Sequence, residues 1–329
     1  MSRPFRDGST AAPMITGRPA DLADGVRAAQ RTAGLAAQRS GVRISLLRSK
    51  SEAAALVGLL ARIWGVPDDH APVDPSIVAA MMHGQGYVSG AYAGSELVAG
   101  SIGFVTGDGL DTLHSHVTGV LGGRAGAGVG TAIKHHQRAW AVEHGLTSIT
   151  WTFDPLIARN ARFNLHRLGA RLEEYLVDFY GPMNDDRNRG QPSDRAFTRW
   201  DLDDAGTPPT SSAACGRTDA STVLDIVRGG PTIDDRALAT ALRHDVGLVE
   251  LIIPADIEAV RSRAPELAMS WRIALRDTLR PLLAAGWRVA AFLASSRTDA
   301  VDPDNDVGCY RLIRTTSTDN DSTTTADKD

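Results

Sequence analysis

Cysteine and lysine are the scarce residues of this sequence. Cys215 and Cys309 are the only cysteines in 329 residues. Two are too few for a disulfide framework or a cysteine-built zinc site, so a reducing cytosol is the expected setting and no metal is expected. Lysine occurs only at Lys50, Lys134 and Lys328, and arginine supplies the rest of the 35 basic residues. Acidic residues outnumber basic ones, the net charge is −4 and no basic block stands out. That argues against a surface tracking nucleic-acid phosphates. No apolar run is long enough to span a bilayer, and the opening "MSRPFRDGSTAAPMITG" lacks the apolar stretch of a secretory signal. Neither nucleic acid nor membrane is an expected partner.

What is present is a chain with 43% hydrophobic residues, long enough for one large or two modest cores. Residues 1–42 read as a disordered start followed by an Ala-rich helix that stops at Gly41. Residues 43–203 read as a mixed α/β domain of about seven strands. "YVSGAYAGSELVAGSIGFVTG" is a hairpin turning at Gly94-Ser95, and "DTLHSHVTGVL" is a longer strand. Residues 204–246 read as a linker region, 247–315 as a smaller α/β unit and 316–329 as a polar, disordered tail. In the smaller unit a helix carries Trp271, Leu275, Leu279 and Leu282 on one stripe, and Pro281 should kink or restart it.

The stretch "HVTGVLGGRAGAGVGTAIKHHQRAW" joins a strand to a helix through five glycines between Gly122 and Gly130. Glycine is costly unless the backbone must turn left-handed or lie against something. A strand, a glycine turn and a helix N-terminus together make a cradle for phosphate. Two well-known versions fail. No Gly-Lys pair exists for a Walker loop, and a G-x-G-x-x-G fingerprint read from Gly126 or Gly128 ends on Thr131 or Ile133.

A third version fits. "AGAGVG", Ala125 to Gly130, resembles the Arg/Gln-x-x-Gly-x-Gly/Ala motif of the GCN5-related N-acetyltransferase (GNAT) superfamily. It departs from that motif at Ala125, the basic residue being displaced to Arg124. "WTFDPL", "NARFN" and "LGA" follow in the order found in one branch of predicted GNAT acyltransferases. The resemblance covers about residues 43–203 and implies a mixed central sheet whose strands 4 and 5 splay to admit an acyl-pantetheine arm. It implies acetyl-CoA or another acyl-CoA as co-substrate. Val120, Arg124, Gly126, Gly128, Val129, Gly130 and Thr131 would form the cradle, and a backbone N–H near Val120 would meet the thioester oxygen.

Acyl transfer to an amine needs a base, an oxyanion donor and a route for the leaving thiolate. His114 and His116 alternate on one strand, face the same way and titrate in a suitable range. His116 is nearer the cradle, and each histidine also reads as a structural, hydrogen-bonded one. Asp154 before Pro155 reads either as a holder or proton relay for the substrate ammonium, or as a helix cap. Asn160 and Asn164 are four residues apart on the next helix. The resemblance implies an asparagine there for the pantetheine amide, although its usual position falls on Ala158. It also places the family's tyrosine acid on Leu165, so that acid is absent. Arg272 and Arg276, beside Trp271, read as a clamp for a substrate carboxylate, and Trp271 reads equally as a core anchor.

The reading is an N-acyltransferase, acetyl first and succinyl second, acting on a small-molecule amine such as an amino acid by direct attack. No cysteine lies near the motif to form an acyl-enzyme. The alternative is a catalytically inactive GNAT fold that senses acyl-CoA or scaffolds a partner. The C-terminal unit either covers the acceptor side or makes a homodimer contact.

Overall fold

The computed structural model describes residues 19–124, 126–183, 190–203, 220–243, 246–296 and 306–314. Ala125, the two tails and residues 204–219 of the expected linker lie outside the described residues. The chain divides into two compact units, Met1–Ile149 and Thr150–Asp329.

In the first unit α1 (Pro19–Arg39) ends ahead of Gly41, whose φ of 65° gives the expected glycine stop. Then come β1 (Arg43–Leu46), α2 (Lys50–Trp64), α3 (Pro75–His83), β2 (Tyr87–Ala93), β3 (Glu96–Thr106), β4 (Thr112–Val120) and α4 (Val129–Glu143). α2 opens with a reciprocal capping box between Ser49 and Glu52 and ends on left-handed Gly65. β1, β2, β3 and β4 pair antiparallel in that order, and β2 meets β3 across the expected two-residue turn. Leu56 and Leu60 of α2 pack with Val88, Ile102 and Val117 of the sheet, while Val129, Ala132 and Ile133 of α4 pack with Ala91 and Ala99. The two helices therefore serve separate apolar clusters.

The second unit takes up most of β5 (Ser148–Phe153), followed by α5 (Ala158–Ala161), a π-helical turn (Arg162–Arg167), β6 (Arg171–Leu176) and β7 (Arg195–Asp201). β7 lies between β5 and β6. A five-stranded sheet follows, built from β8 (Ser221–Val227), β9 (Gly230–Ile233), β10 (Leu248–Pro254), β11 (Trp287–Ser296) and β12 (Asp306–Arg314) in the order β11-β12-β10-β8-β9. β10 and β8 are parallel and the other pairs antiparallel. Its helices are α6 (Asp235–Leu242), α7 (Ile257–Arg263) and α8 (Pro265–Ala284).

Two expectations are corrected here. Residues 221–242 are two strands and a helix rather than linker. "STVLDIV" is β-branched and turns at Arg228-Gly229, both left-handed, into β9. α8 also runs through Pro281 to Ala284 without restarting. Trp271, Leu275, Leu279 and Leu282 are all buried on its inner stripe, and that burial outweighs one lost hydrogen bond near a helix end. Among the described residues no helix is long and apolar enough to cross a membrane.

Candidate functional site

β4 ends at Val120, and Leu121 donates to the Val98 carbonyl at 2.9 Å before a single 3-10 turn over Gly122–Arg124. Gly126 and Gly128 then take φ of 89° and 83°, a region that costs a side-chain-bearing residue free energy. Gly128 is the N-cap of α4 and offers no side chain to its first turn. The N–H groups of Val129, Gly130 and Thr131 stand in that turn, where a helix has no acceptor of its own. The positive end of the helix dipole points the same way. A Cβ on Gly122, Gly123 or Gly126 would meet nothing within 4 Å, whereas one on Gly128 would lie 3.0 Å from Ser40 Oγ. At those three outer glycines the space is open among the described residues, which is what a loop that takes up an anion requires. Val120 packs beside Val129 at its base. Ala125, the motif's departure, is outside the described residues.

The histidines sit on a β-bulge. Ile102 pairs with Val117 and Gly103 with Ser115, so His116 is the extra residue on β4. The slip reverses the faces. Ser115 turns toward α4, while Val117 joins the apolar cluster under α2. His114 and His116 keep a common side as expected, their rings 6.3 Å apart and both beside the exposed Phe104, at 5.2 and 6.0 Å. Burial, then the His116 and Lys134 charges, lower His114 to about 4. Partial burial also lowers His116. Both rings are neutral near pH 7, and His116, exposed at its edge, is the one open to a proton-bearing molecule.

Sequence reasoning passed over the polar network behind this bulge. Lys134, fully enclosed, donates to Ser115 Oγ at 2.9 Å. Gln137 donates to Ser115 Oγ at 3.0 Å and to Ser101 Oγ at 2.9 Å. Ser101 in turn meets the Val117 carbonyl and Thr118 Oγ1, at 3.1 and 2.7 Å. Burial brings the Lys134 ammonium down to about 7. Its sequence signal was rarity: a lysine on an inner helical face in a chain that otherwise uses arginine.

In the second unit Asp154 is 5% exposed and accepts two hydrogen bonds of 2.6 Å from Arg272, which is 1% exposed. Arg261 approaches at 3.5 Å, and the Leu156 N–H donates to Asp154 at 3.0 Å. Burial alone would raise this carboxyl, but the Arg272 charge and its hydrogen bonds outweigh that and bring it to about 2. A carboxylate held this way takes up no proton near neutrality, so the geometry favours the capping, ion-paired role over the relay. Arg276 likewise forks onto Asp194, at 2.9 and 2.8 Å, and Tyr175 donates to the same carboxylate at 2.6 Å. The expected arginine clamp is therefore committed to carboxylates of the chain. Asn164 is buried and Asn160 half-buried, on either side of the passage into the π-turn, where Leu168 N bonds Phe163 O five residues back. Leu165 is a core residue. Cys309 is buried, and that burial pushes its thiol up to about 12; Cys215 lies outside the described residues.

A cavity of about 700 Å³ in the first unit is lined by Arg48, Lys50, His83, Trp140, Glu143 and His144, among others. It meets α4 at its last turn, about 18 Å along the axis from Gly128, and is no part of the cradle.

A mixed α/β unit with an open glycine loop feeding an uncapped helix has the geometry with which domains take up an anionic ligand at a helix start. Residues 24–155 match the family model described as "Acetyltransferase (GNAT) domain", so this segment of the chain is similar to domains of the GNAT superfamily, one of acyl transfer. A search of curated proteins finds no match. Solved structures similar to this chain include the ribosomal-protein-S18-alanine N-acetyltransferase of Escherichia coli, with 15% identity over 49% of this chain and 94% of that one and a TM-score of 0.39. An N-acetyltransferase of Staphylococcus aureus has 13% identity over 49% and 98%, with a TM-score of 0.40. The yncA protein of Salmonella typhimurium, solved with its cofactor acetyl-CoA, has 16% identity over 51% and 98%, with a TM-score of 0.41. The match of residues 24–155 to the family model, rather than these scores, carries the likeness.

Proposed function

We propose that the chain is an acyl-CoA-dependent N-acyltransferase, with acetyl the first acyl group to test and a small-molecule amine the acceptor. The observation that carries this is the side-chain-free N-cap Gly128 under an open glycine loop, inside a segment of the acetyltransferase family. In this reading the amides of Val129, Gly130 and Thr131 hold the pyrophosphate, and Arg124 adds charge. Val120 lines the pantetheine arm, while His116 takes the ammonium proton ahead of His114, whose lower pKa makes it the weaker base. Neither Asp154 nor the Arg272 and Arg276 pairs carry a step. Titration calorimetry with acetyl-CoA, with ATP and NAD as controls, tests it. Saturable binding of acetyl-CoA alone, lost on Gly128→Val, supports the reading; no binding of acetyl-CoA overturns it.

A second reading has its own observation. Leu165, where the resemblance places a tyrosine acid, is a buried core residue with no hydroxyl. A GNAT fold that binds acyl-CoA without turnover is consistent with it. Release of thiol from acetyl-CoA with any amine of a screen excludes this second reading.

A further inference from the structure

Between the cradle and the far end of α4, the inner face of that helix buries two polar side chains, Lys134 and Gln137, in an otherwise apolar interface. Both converge on one atom, Ser115 Oγ, immediately before the bulge residue. Gln137 then reaches Ser101 on β3, whose hydroxyl bonds the Val117 carbonyl and Thr118 Oγ1 immediately after it. The hydrogen bonds therefore bracket His116 on both sides, and they form only in the bulged register. Without the slip, Ser115 and Val117 would share a face, and an isopropyl group would stand where Thr118 now meets Ser101. Gly103 opposite completes the fit, since a Cβ there would lie 3.0 Å from the His114 carbonyl oxygen.

We propose that Lys134 and Gln137 are positioning residues for His116: through Ser115 and Ser101 they lock the one-residue bulge of β4 that aims this imidazole away from α4 beside Phe104. The proposal rests on the acyltransfer reading for the use to which His116 is put, but not for the geometry. Among the polar groups near Lys134 are Ser115, to which it donates, and His114, on which its charge acts, both on β4, and Gln137 of its own helix, which shares Ser115 Oγ. Two residues further along α4 from Lys134, His136 accepts or donates to Tyr87 at 2.8 Å. Lys134 also bears on the imidazoles by charge, because its ammonium contributes to the lowering of His114. A test must separate that from position.

Histidine-labelled full-length protein, titrated by NMR with His116 assigned through His116→Gln, makes the separation. Gln137→Leu and Ser115→Ala change no charge. In both, the His116 midpoint should rise toward the ordinary value near 6.5 as the bulge relaxes and the ring gains water. Ser115→Thr, which keeps the hydroxyl, should restore it. Lys134→Met should move His116 as well, and should raise His114 more than the neutral variants do because a positive charge is gone. An unchanged His116 midpoint in both Gln137→Leu and Ser115→Ala overturns the proposal, whatever Lys134→Met does. Acetyl-CoA calorimetry on the same samples is the independent arm. Absence of binding to the wild-type protein sinks the acyltransfer reading and leaves the NMR result standing.

Discussion

The two compact units bury charge in opposite ways. In the second, Asp154 faces Arg272 through two short hydrogen bonds, and Asp194 faces Arg276 and Tyr175. Each carboxylate meets a planar donor fork, so the desolvation cost of the charges is offset by geometry, and Asp154 stays ionised across the physiological range. In the first, Lys134 is met by a serine hydroxyl, and burial brings its ammonium down to about 7. One arrangement fixes charge in place. The other leaves a proton that comes and goes near neutrality behind the strand carrying the candidate base.

Breaking the ion pair should have the largest effect. Arg272→Met strands a carboxylate in the core of the second unit and should cost about 3–5 kcal/mol, read as a lower urea midpoint. Adding Asp154→Asn should recover part of the loss, since the uncompensated charge is then gone. If the double variant is no better than the single, the pair was holding shape rather than balancing charge.

The acid limb comes next. Asp154 is held at about 2 against an ordinary 3.8. Its folded pKa is depressed, so the stability it contributes is fully present above about pH 4 and is lost as pH falls toward 2, about 2 kcal/mol in all. Thermal melts between pH 2 and 5 should show this loss, and Asp154→Asn should flatten it.

Lys134 gives a slope of the same sign in a higher pH window. Its folded pKa is also depressed, but for a base: the unfolded chain binds the extra proton between pH 7 and the ordinary 10.5. Stability should therefore rise with pH across that window, by at most about 1.4 kcal/mol per pH unit. Lys134→Met should be more stable than wild type at pH 7 and should lose the slope. A slope that survives the substitution would assign the titration to another group. The smallest effect is expected at the cradle, where Gly128→Ala forces a Cβ into φ near 83° and toward Ser40. About 1 kcal/mol is expected, measured by denaturation without ligand.

Much of the fold was legible in local pattern. The hairpin at Gly94-Ser95, the glycine stop at Gly41 and the apolar stripe of α8 are statements about neighbours in sequence, and local sterics enforce them. The glycine loop belongs with these, because left-handed Gly126 and Gly128 before a helix need no distant partner to be recognised. The candidate site was less legible. Asp154 was weighed as a proton carrier because nothing in "WTFDPL" announces an arginine 118 residues away. Arg272 and Arg276 were weighed as ligand-binding for the same reason, their partners being out of view.

What the sequence determined by itself is therefore the order of the elements in the first unit, the glycine loop at a helix start and the acyltransferase resemblance, because each rests on residues within a turn or two of one another. Tertiary structure decided which charges face which and where His116 points. Leu113, Ser115 and Val117 alternate without a break in the chain, and only pairing with β3 shows that the strand slips at His116. Register is a property of two strands, and the hydroxyls and amide that hold it come from three elements. No single stretch of sequence contains that information.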